Sequence, residues 1–250
     1  MSLFAGLGEG YAKFRPPVHP RIIDRLRPQL PIPVHRALDV GCGSGLSTKA
    51  MEGLAQQCFG LEPAIPMLRW AANVAPSAEF IGGYAEQMPI RTGSIDLITA
   101  AGSLNFADIE AFFPEAVRVL NAGGTLAVYD FAQGRRFADS SVLAEWFDEF
   151  AARYPRPPGA GRPLDPDILG SMKSGFRIDS SERFEIGVRL HRAAYVDYLM
   201  TEVNVTSAIA LGAVPDEVRR WCAESLRDVF PEGSGEVLFP GYIACMRVDT

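Results

Sequence analysis

Residues 37–47 read ALDVGCGSGLS, and the order of residue types in this stretch decides the fold. An apolar run of Ala37, Leu38 and Val40 leads into Gly41-Cys42-Gly43-Ser44-Gly45, and Leu46, Ala50 and Leu54 follow at helical spacing. Strand, glycine turn and helix in that order form a cradle of the nucleotide-binding type. Glycine lets the main chain turn tightly and lets a ligand approach without a Cβ in the way. The helix that follows presents free N–H groups and the positive end of its dipole. Asp39 stands near the end of the strand, and Glu62 lies nineteen residues beyond Gly43, where an acid can accept from ribose hydroxyls. The glycine spacing is Gly-x-Gly-x-Gly, not the dinucleotide Gly-x-Gly-x-x-Gly, which favours a mononucleoside ligand without a pyrophosphate.

The rest of the chain alternates strand and helix patterns. Strands are expected near 36–41, 57–62, 78–82, 95–101 and 124–131, and helices near 45–55, 64–74 and 109–120. That alternation predicts a parallel sheet with right-handed crossovers, helices on both faces and a ligand at the carboxyl ends of the strands. After Phe131 the pattern changes. An aromatic and acidic amphipathic stretch at 139–154 precedes a proline-rich loop at 155–166 and a short helix near 165–174. A strand is expected at 184–190, helices at 193–211 and 215–229, and a closing strand at 241–248. The fold class is therefore α/β, Rossmann-like and doubly wound, with a mostly parallel seven-stranded sheet and a helical cap.

Composition narrows the class further. The 250 residues are 48% hydrophobic and 22% charged, with a formal net charge of −6, as expected of a soluble globular chain with a sizeable core. No long basic run is present, so bulk nucleic-acid binding is disfavoured. The four cysteines, Cys42, Cys58, Cys222 and Cys245, have no metal-ligand spacing and read as reduced thiols. No membrane-spanning apolar stretch or leader pattern stands out. The expectation is a cytoplasmic protein without membrane or nucleic-acid partners, with its oligomeric state left open.

Four motifs in order make the chain resemble the class I S-adenosylmethionine-dependent methyltransferases. Beside the cradle these are Gly60-Leu61-Glu62-Pro63-Ala64-Ile65-Pro66-Met67-Leu68, Gly83-Tyr84-Ala85-Glu86-Gln87-Met88-Pro89, and Ser94 through Ala101; Glu115 to Asp130 resembles the lead into the fifth strand. Outer features are similar to the trans-aconitate methyltransferase-like, or methyltransferase type 11, branch: Tyr11 with Arg15-Pro16, Ser103-Leu104-Asn105-Phe106, Tyr195 to Thr201, and the ending from Phe230. Phe106 stands where that branch often has Trp, which keeps an aromatic wall and loses the indole donor.

The resemblance implies S-adenosyl-L-methionine as cofactor, S-adenosyl-L-homocysteine as product and a small-molecule substrate. It places Tyr11, Arg15, Asp39, Gly41, Gly43, Glu62, Met67, Ala85, Glu86, Ala101 and Phe106 around the cofactor. Without a ligand, the same residues read as a tight turn, a carboxylate holding its own loop at Asp39, a helix cap at Glu62 and packing at Met67. It implies N-terminal lid helices at 1–30, a cofactor-binding core at 31–134, a cap insertion at 135–182, and C-terminal strands with inserted cap helices at 183–250.

The acceptor is less legible. A carboxylate needs cations to hold it and no base, since its ordinary pKa is about 4. Arg15, Arg153, Arg156, Arg162, Arg177 and Arg192 are the candidates. A hydroxyl or amine acceptor can need a base, for which His19 and His191 are candidates and Asp130 a weaker one. No metal site is expected. A hydrophobic hydroxyl or amine acceptor and a cofactor-binding protein that does not methylate stay open as alternatives.

Overall fold

The computed structural model of the chain describes residues 8–31, 33–159 and 161–249. Two helices, α1 (Gly8–Phe14) and α2 (Val18–Leu26), precede the sheet. Then β1 (Val34–Val40), α3 (Leu46–Met51), β2 (Ala55–Glu62), α4 (Ile65–Val74), β3 (Glu79–Gly82), β4 (Ile95–Ala101), α5 (Ile109–Val119) and β5 (Leu120–Phe131) alternate. The second half holds β6 (Arg136–Phe137), α6 (Val142–Arg153), α7 (Pro166–Ser171), β7 (Phe176–His191), α8 (Arg192–Leu199), α9 (Val203–Ala210), α10 (Pro215–Ser225) and β8 (Ser234–Val248).

The strands form one sheet in the order β3-β2-β1-β4-β5-β8-β6, with β7 also paired to β8. β1, β2, β3, β4 and β5 pair in parallel, while β8 runs antiparallel to β5, β6 and β7. All seven expected strands are present, and the two-residue β6 is an eighth. β1 lies between β2 and β4, so the chain leaves it in one direction and returns on its other side. That reversal opens a crevice at the carboxyl ends of β1 and β4.

The period of two along the central strands sorts the side chains into two cores. Leu97 on β4, Ala127 and Tyr129 on β5, and Ile243 and Cys245 on β8 join one cluster with α2, α6, α8 and α10. Their alternates Ile98, Leu126, Val128, Ala244 and Met246 join the other, with α5. α2 buries Val18, Ile22, Ile23 and Leu26 in the first cluster.

Several elements differ from expectation. β7 starts at Phe176 instead of 184, and β8 at Ser234 instead of 241. Apart from Ile178, residues 177–183 are polar, so no apolar alternation marks them, and long pairing with β8 makes them a strand. The helical stretch at 193–211 breaks into α8 and α9, because the turn at 200–202 carries Glu202 inward to 3% exposure. α3 ends at Met51, four residues early, where the chain turns through Gly53 at φ +81°.

Candidate active site

At the crevice lies a cavity of about 510 Å³. Nine of the eleven residues singled out around the cofactor line it: Tyr11, Gly41, Gly43, Glu62, Met67, Ala85, Glu86, Ala101 and Phe106. They come from α1, the β1–α3 turn, the end of β2, α4, the loop after β3, and the loop after β4.

The three glycines of the turn have positive φ, and each does a different job. A Cβ on Gly41 (φ +69°) would stand 2.3 Å from Ser103 Cβ, so this glycine lets the β4 loop close on the turn. A Cβ on Gly45 (φ +87°) would stand 2.9 Å from Ala71 Cα, so this one lets α3 approach α4. A Cβ on Gly43 (φ +54°) would meet nothing nearer than Met67 Cε at 3.6 Å; its missing side chain opens the cavity itself. Ser103 Oγ donates to the Val40 carbonyl at 2.5 Å and ties the two walls together.

Glu62 is half-buried at the end of β2. Gly43 N–H donates to its Oε2 at 3.2 Å and Ala64 N–H to its Oε1 at 2.9 Å. Burial pushes its pKa up, and those two amides pull it back. The carboxylate is thus aimed from the tip of one strand toward the glycine turn of its neighbour, on the cavity wall. Glu86 Oε1 accepts from Asp108 N–H at 2.7 Å, which fixes that side of the rim.

Asp39 and Arg15 do not line this cavity. Asp39 is fully buried, and its carboxylate accepts from Ser47 Oγ at 2.6 Å, Thr48 Oγ1 at 2.7 Å and Thr99 Oγ1 at 3.0 Å. It clamps the first turn of α3 to β1 and β4. Burial raises its pKa to about 6 against the pull of the three hydroxyls. Arg15 lies over the ring of Tyr11, 4.2 Å from its centroid, and donates to Glu202 Oε1 at 2.7 Å and to the Thr201 carbonyl at 3.3 Å. Gln133 completes the cluster by donating to the other oxygen of Glu202.

A second cavity of about 1270 Å³ adjoins the first. The two share Tyr11, His19, Ala101, Gly102 and Phe106. Arg15, Arg135, Arg156, Arg162 and Arg183 line the second, together with Asp130, Asp165, Glu185 and Glu202. All four acids are engaged. Asp130 accepts from Asn105 Nδ2 and from Phe131 N–H, Asp165 caps α7, Glu185 pairs with Arg136, and Glu202 holds Arg15. Burial raises the Asp130 pKa. The Arg162 guanidinium has no partner among the described residues, although its backbone N–H donates to the Asn105 carbonyl at 2.8 Å.

The remaining arginines and histidines divide. Arg153 stacks over Trp221 at 5.0 Å, Arg177 faces Asp179, and Arg192 opens α8; none lines either cavity. His191 ends β7 on the surface and also lines neither. His19 stands at the junction, with its Nδ1 3.0 Å from Tyr129 Oη. Burial, and then the nearby Arg15, lower its pKa to about 4. Ser103 and Tyr84 are wall residues not assigned a role from the sequence, although both sit inside motifs quoted from it. Among the described residues, no group of three or more His, Cys, Asp or Glu side chains is arranged to hold a metal ion. No helix there is long and apolar enough to cross a membrane.

Comparison with known proteins fits this geometry. Residues 38–128 match the methyltransferase domain family of type 11. An uncharacterized methyltransferase of Mycobacterium tuberculosis is 32% identical over 129 residues, covering 51% of this chain and 52% of that protein. The chain spans about half the length of the curated relatives it matches. A solved structure from Anaeromyxobacter dehalogenans, described as a type II methyltransferase, shares the fold with a TM-score of 0.73 at 23% identity, over 93% of this chain and 97% of that one. A geranyl diphosphate C-methyltransferase of Streptomyces coelicolor, solved with S-adenosyl-L-homocysteine, shares it at a TM-score of 0.50 and 15% identity, over 93% and 78%.

Residues 38–128 thus belong to the type 11 methyltransferase domain family, and the chain as a whole has the fold of solved methyltransferases. S-adenosyl-L-methionine is the cofactor of that family, and the open face of Gly43, with Glu62 beside it, fits a nucleoside bearing a short charged chain.

Proposed function

We propose that this protein transfers the methyl group of S-adenosyl-L-methionine to a carboxylate oxygen of a small molecule bound in the larger cavity. Helices α6 to α10, from the 135–182 insertion and the C-terminal region, act with α1 as a cap over the 31–134 core. The observation that carries this reading is the junction: two cavities, one lined by the nucleoside motifs and one by arginines, meet at Tyr11, His19, Ala101, Gly102 and Phe106.

The cofactor supplies an activated methyl on a sulfonium, so the protein's work is to bind, aim and exclude water. Glu62 accepts from ribose hydroxyls. Met67 and Ala85 flank the adenine, with Glu86 at its rim. Arg15 stays committed to Glu202 and holds Tyr11 as a wall. Arg156 and Arg162 offer cationic forks to the acceptor. Three of the four acids of the same cavity are paired with arginines, Asp165 with Arg183, Glu185 with Arg136 and Glu202 with Arg15, which lowers the repulsion an entering anion meets. As a carboxylate oxygen takes the methyl, anion and sulfonium both become neutral, and no proton has to move.

A hydroxyl acceptor is the second reading, favoured by one observation. Asp130 has a raised pKa and approaches Gly102, where a Cβ would stand 2.8 Å from Asp130 Oδ1. Asp130 would then serve as base. A methyl-transfer screen of acid, phenol and amine libraries separates the two. The carboxylate reading expects methyl esters, a rate flat from about pH 6 to 9, and weaker acceptor binding at high salt. Methyl ethers as products, with a rate rising with pH, would overturn it.

A further inference from the structure

His19 is the one titratable side chain that faces both cavities from α2 with a single, identifiable hydrogen bond. Its Nδ1 lies 3.0 Å from Tyr129 Oη, and among the described residues Nε2 has no protein partner. The imidazole is wedged edge-on between the rings of Tyr129 and Phe131, at centroid distances of 5.8 and 5.2 Å, so it cannot turn over without displacing both. Tyr129 is 1% exposed and lines neither cavity.

That geometry fixes the direction of the bond. Tyr129 Oη has one partner among the described residues, His19 Nδ1. If the imidazole donated through Nδ1–H, the phenolic proton would be left in the core without an acceptor. If the phenol donates, every polar hydrogen is used, and the imidazole proton lies on Nε2.

We propose that Tyr129 holds His19 as the Nε2–H tautomer, and that His19 offers the acceptor a hydrogen-bond donor at the junction of the cavities instead of a base. What it donates to rests on the carboxylate reading above: one carboxylate oxygen attacks, and the other accepts from Nε2–H. The carboxylate is thereby aimed without being protonated, since a neutral imidazole N–H is a poor acid. The low His19 pKa agrees, as does the Tyr129 phenol held well above its ordinary value by burial. Tyr129 is then a positioning residue that acts through His19.

The chain has three histidines, so long-range proton–nitrogen correlation spectra of the nitrogen-labelled full chain, saturated with S-adenosyl-L-homocysteine, resolve each tautomer, with His19→Gln identifying the signal. The expected result is a protonated Nε2 and a lone-pair-type Nδ1 throughout pH 6 to 9. In Tyr129→Phe, which keeps the ring and removes the donor, the two tautomers should mix. A protonated Nδ1 in the unsubstituted protein, or a tautomer unchanged in Tyr129→Phe, overturns the proposal.

Succinate and benzoate, with their amides as controls, test the second half. The acids should shift the Nε2–H signal and the amides should not. Their affinity should fall about tenfold in His19→Leu and less than about threefold in His19→Gln, whose amide N–H reaches the same place. An intact Nε2–H tautomer that responds to neither acid would count against the carboxylate acceptor and leave the donor assignment standing.

Discussion

The smaller cavity draws its wall, beyond Tyr11 and His19, from four short stretches: 40–47, 62–67, 83–86 and 101–107. Each follows a strand of the parallel sheet, so backbone topology alone brings them together. The larger cavity gathers residues from Tyr11 to Tyr242, on loops and on helices that pack against one another before they meet the sheet. The first is held by main-chain geometry: positive-φ glycines, amides on Glu62 and hydroxyls on Asp39. The second is held by long side chains in pairs, Arg15 with Glu202 and Arg183 with Asp165 and Asp167. A wall made of backbone serves a constant ligand, while one made of side chains can vary its ligand without changing the fold.

Arg15→Leu should break the second cavity and spare the first. The Arg15 side chain is 16% exposed and that of Glu202 4%, so the substitution strands a buried carboxylate at a cost of about 3–5 kcal/mol. Urea unfolding would show this, and Arg15→Leu with Glu202→Leu should recover most of it. S-adenosyl-L-homocysteine affinity in the folded fraction should change by less than about threefold. An equal loss in both readouts would mean that the cavities form one cooperative unit.

His19 sharpens the comparison through pH. Its folded pKa is about 4, below the ordinary imidazole value of 6.5. The unfolded chain therefore takes up the proton first as pH falls. The contribution of His19 to stability is complete above about pH 6.5 and is lost on acidification toward pH 4, by up to about 3 kcal/mol. His19→Gln should remove that slope from a pH series of urea midpoints, and identical slopes would place His19 in solvent.

Smaller effects should stay on their own side of the junction. Glu62→Ala should cost about 1–3 kcal/mol of S-adenosyl-L-homocysteine affinity by calorimetry, because ribose hydroxyls lose a charged acceptor. An unchanged affinity would reduce Glu62 to a partner for the amides of Gly43 and Ala64. Arg162→Ala should weaken the acceptor by about 1 kcal/mol, seen as a raised KM with kcat and cofactor affinity unchanged, and the wild-type advantage should shrink with salt.

The same contrast explains what the sequence discloses. Glu62, Met67, Ala85 and Ala101 are legible because a strand end followed by a glycine or a loop fixes position without distant contacts. Asp39 is the exception. Its distance from the glycine turn suits a ligand, but Ser47, Thr48 and Thr99 capture it, and hydroxyls give no periodic signal. The arginines show the opposite limit. A sequence gives their number and not their direction, so Arg156 and Arg162 reach the cavity while Arg153 lies on Trp221. The polar half of β7 is unreadable for the same reason, since its strand character comes from β8 and not from its own side chains.

The central claim is that the Gly41–Gly45 turn and Glu62 hold an adenosyl group next to an acceptor cavity. Titration calorimetry of the full chain with S-adenosyl-L-homocysteine, and separately with NAD, tests it most directly. The expected result is one adenosyl site with a free energy of about −5 to −8 kcal/mol, weakened in Glu62→Ala, and no heat with NAD. Tight NAD binding with no response to S-adenosyl-L-homocysteine would contradict it.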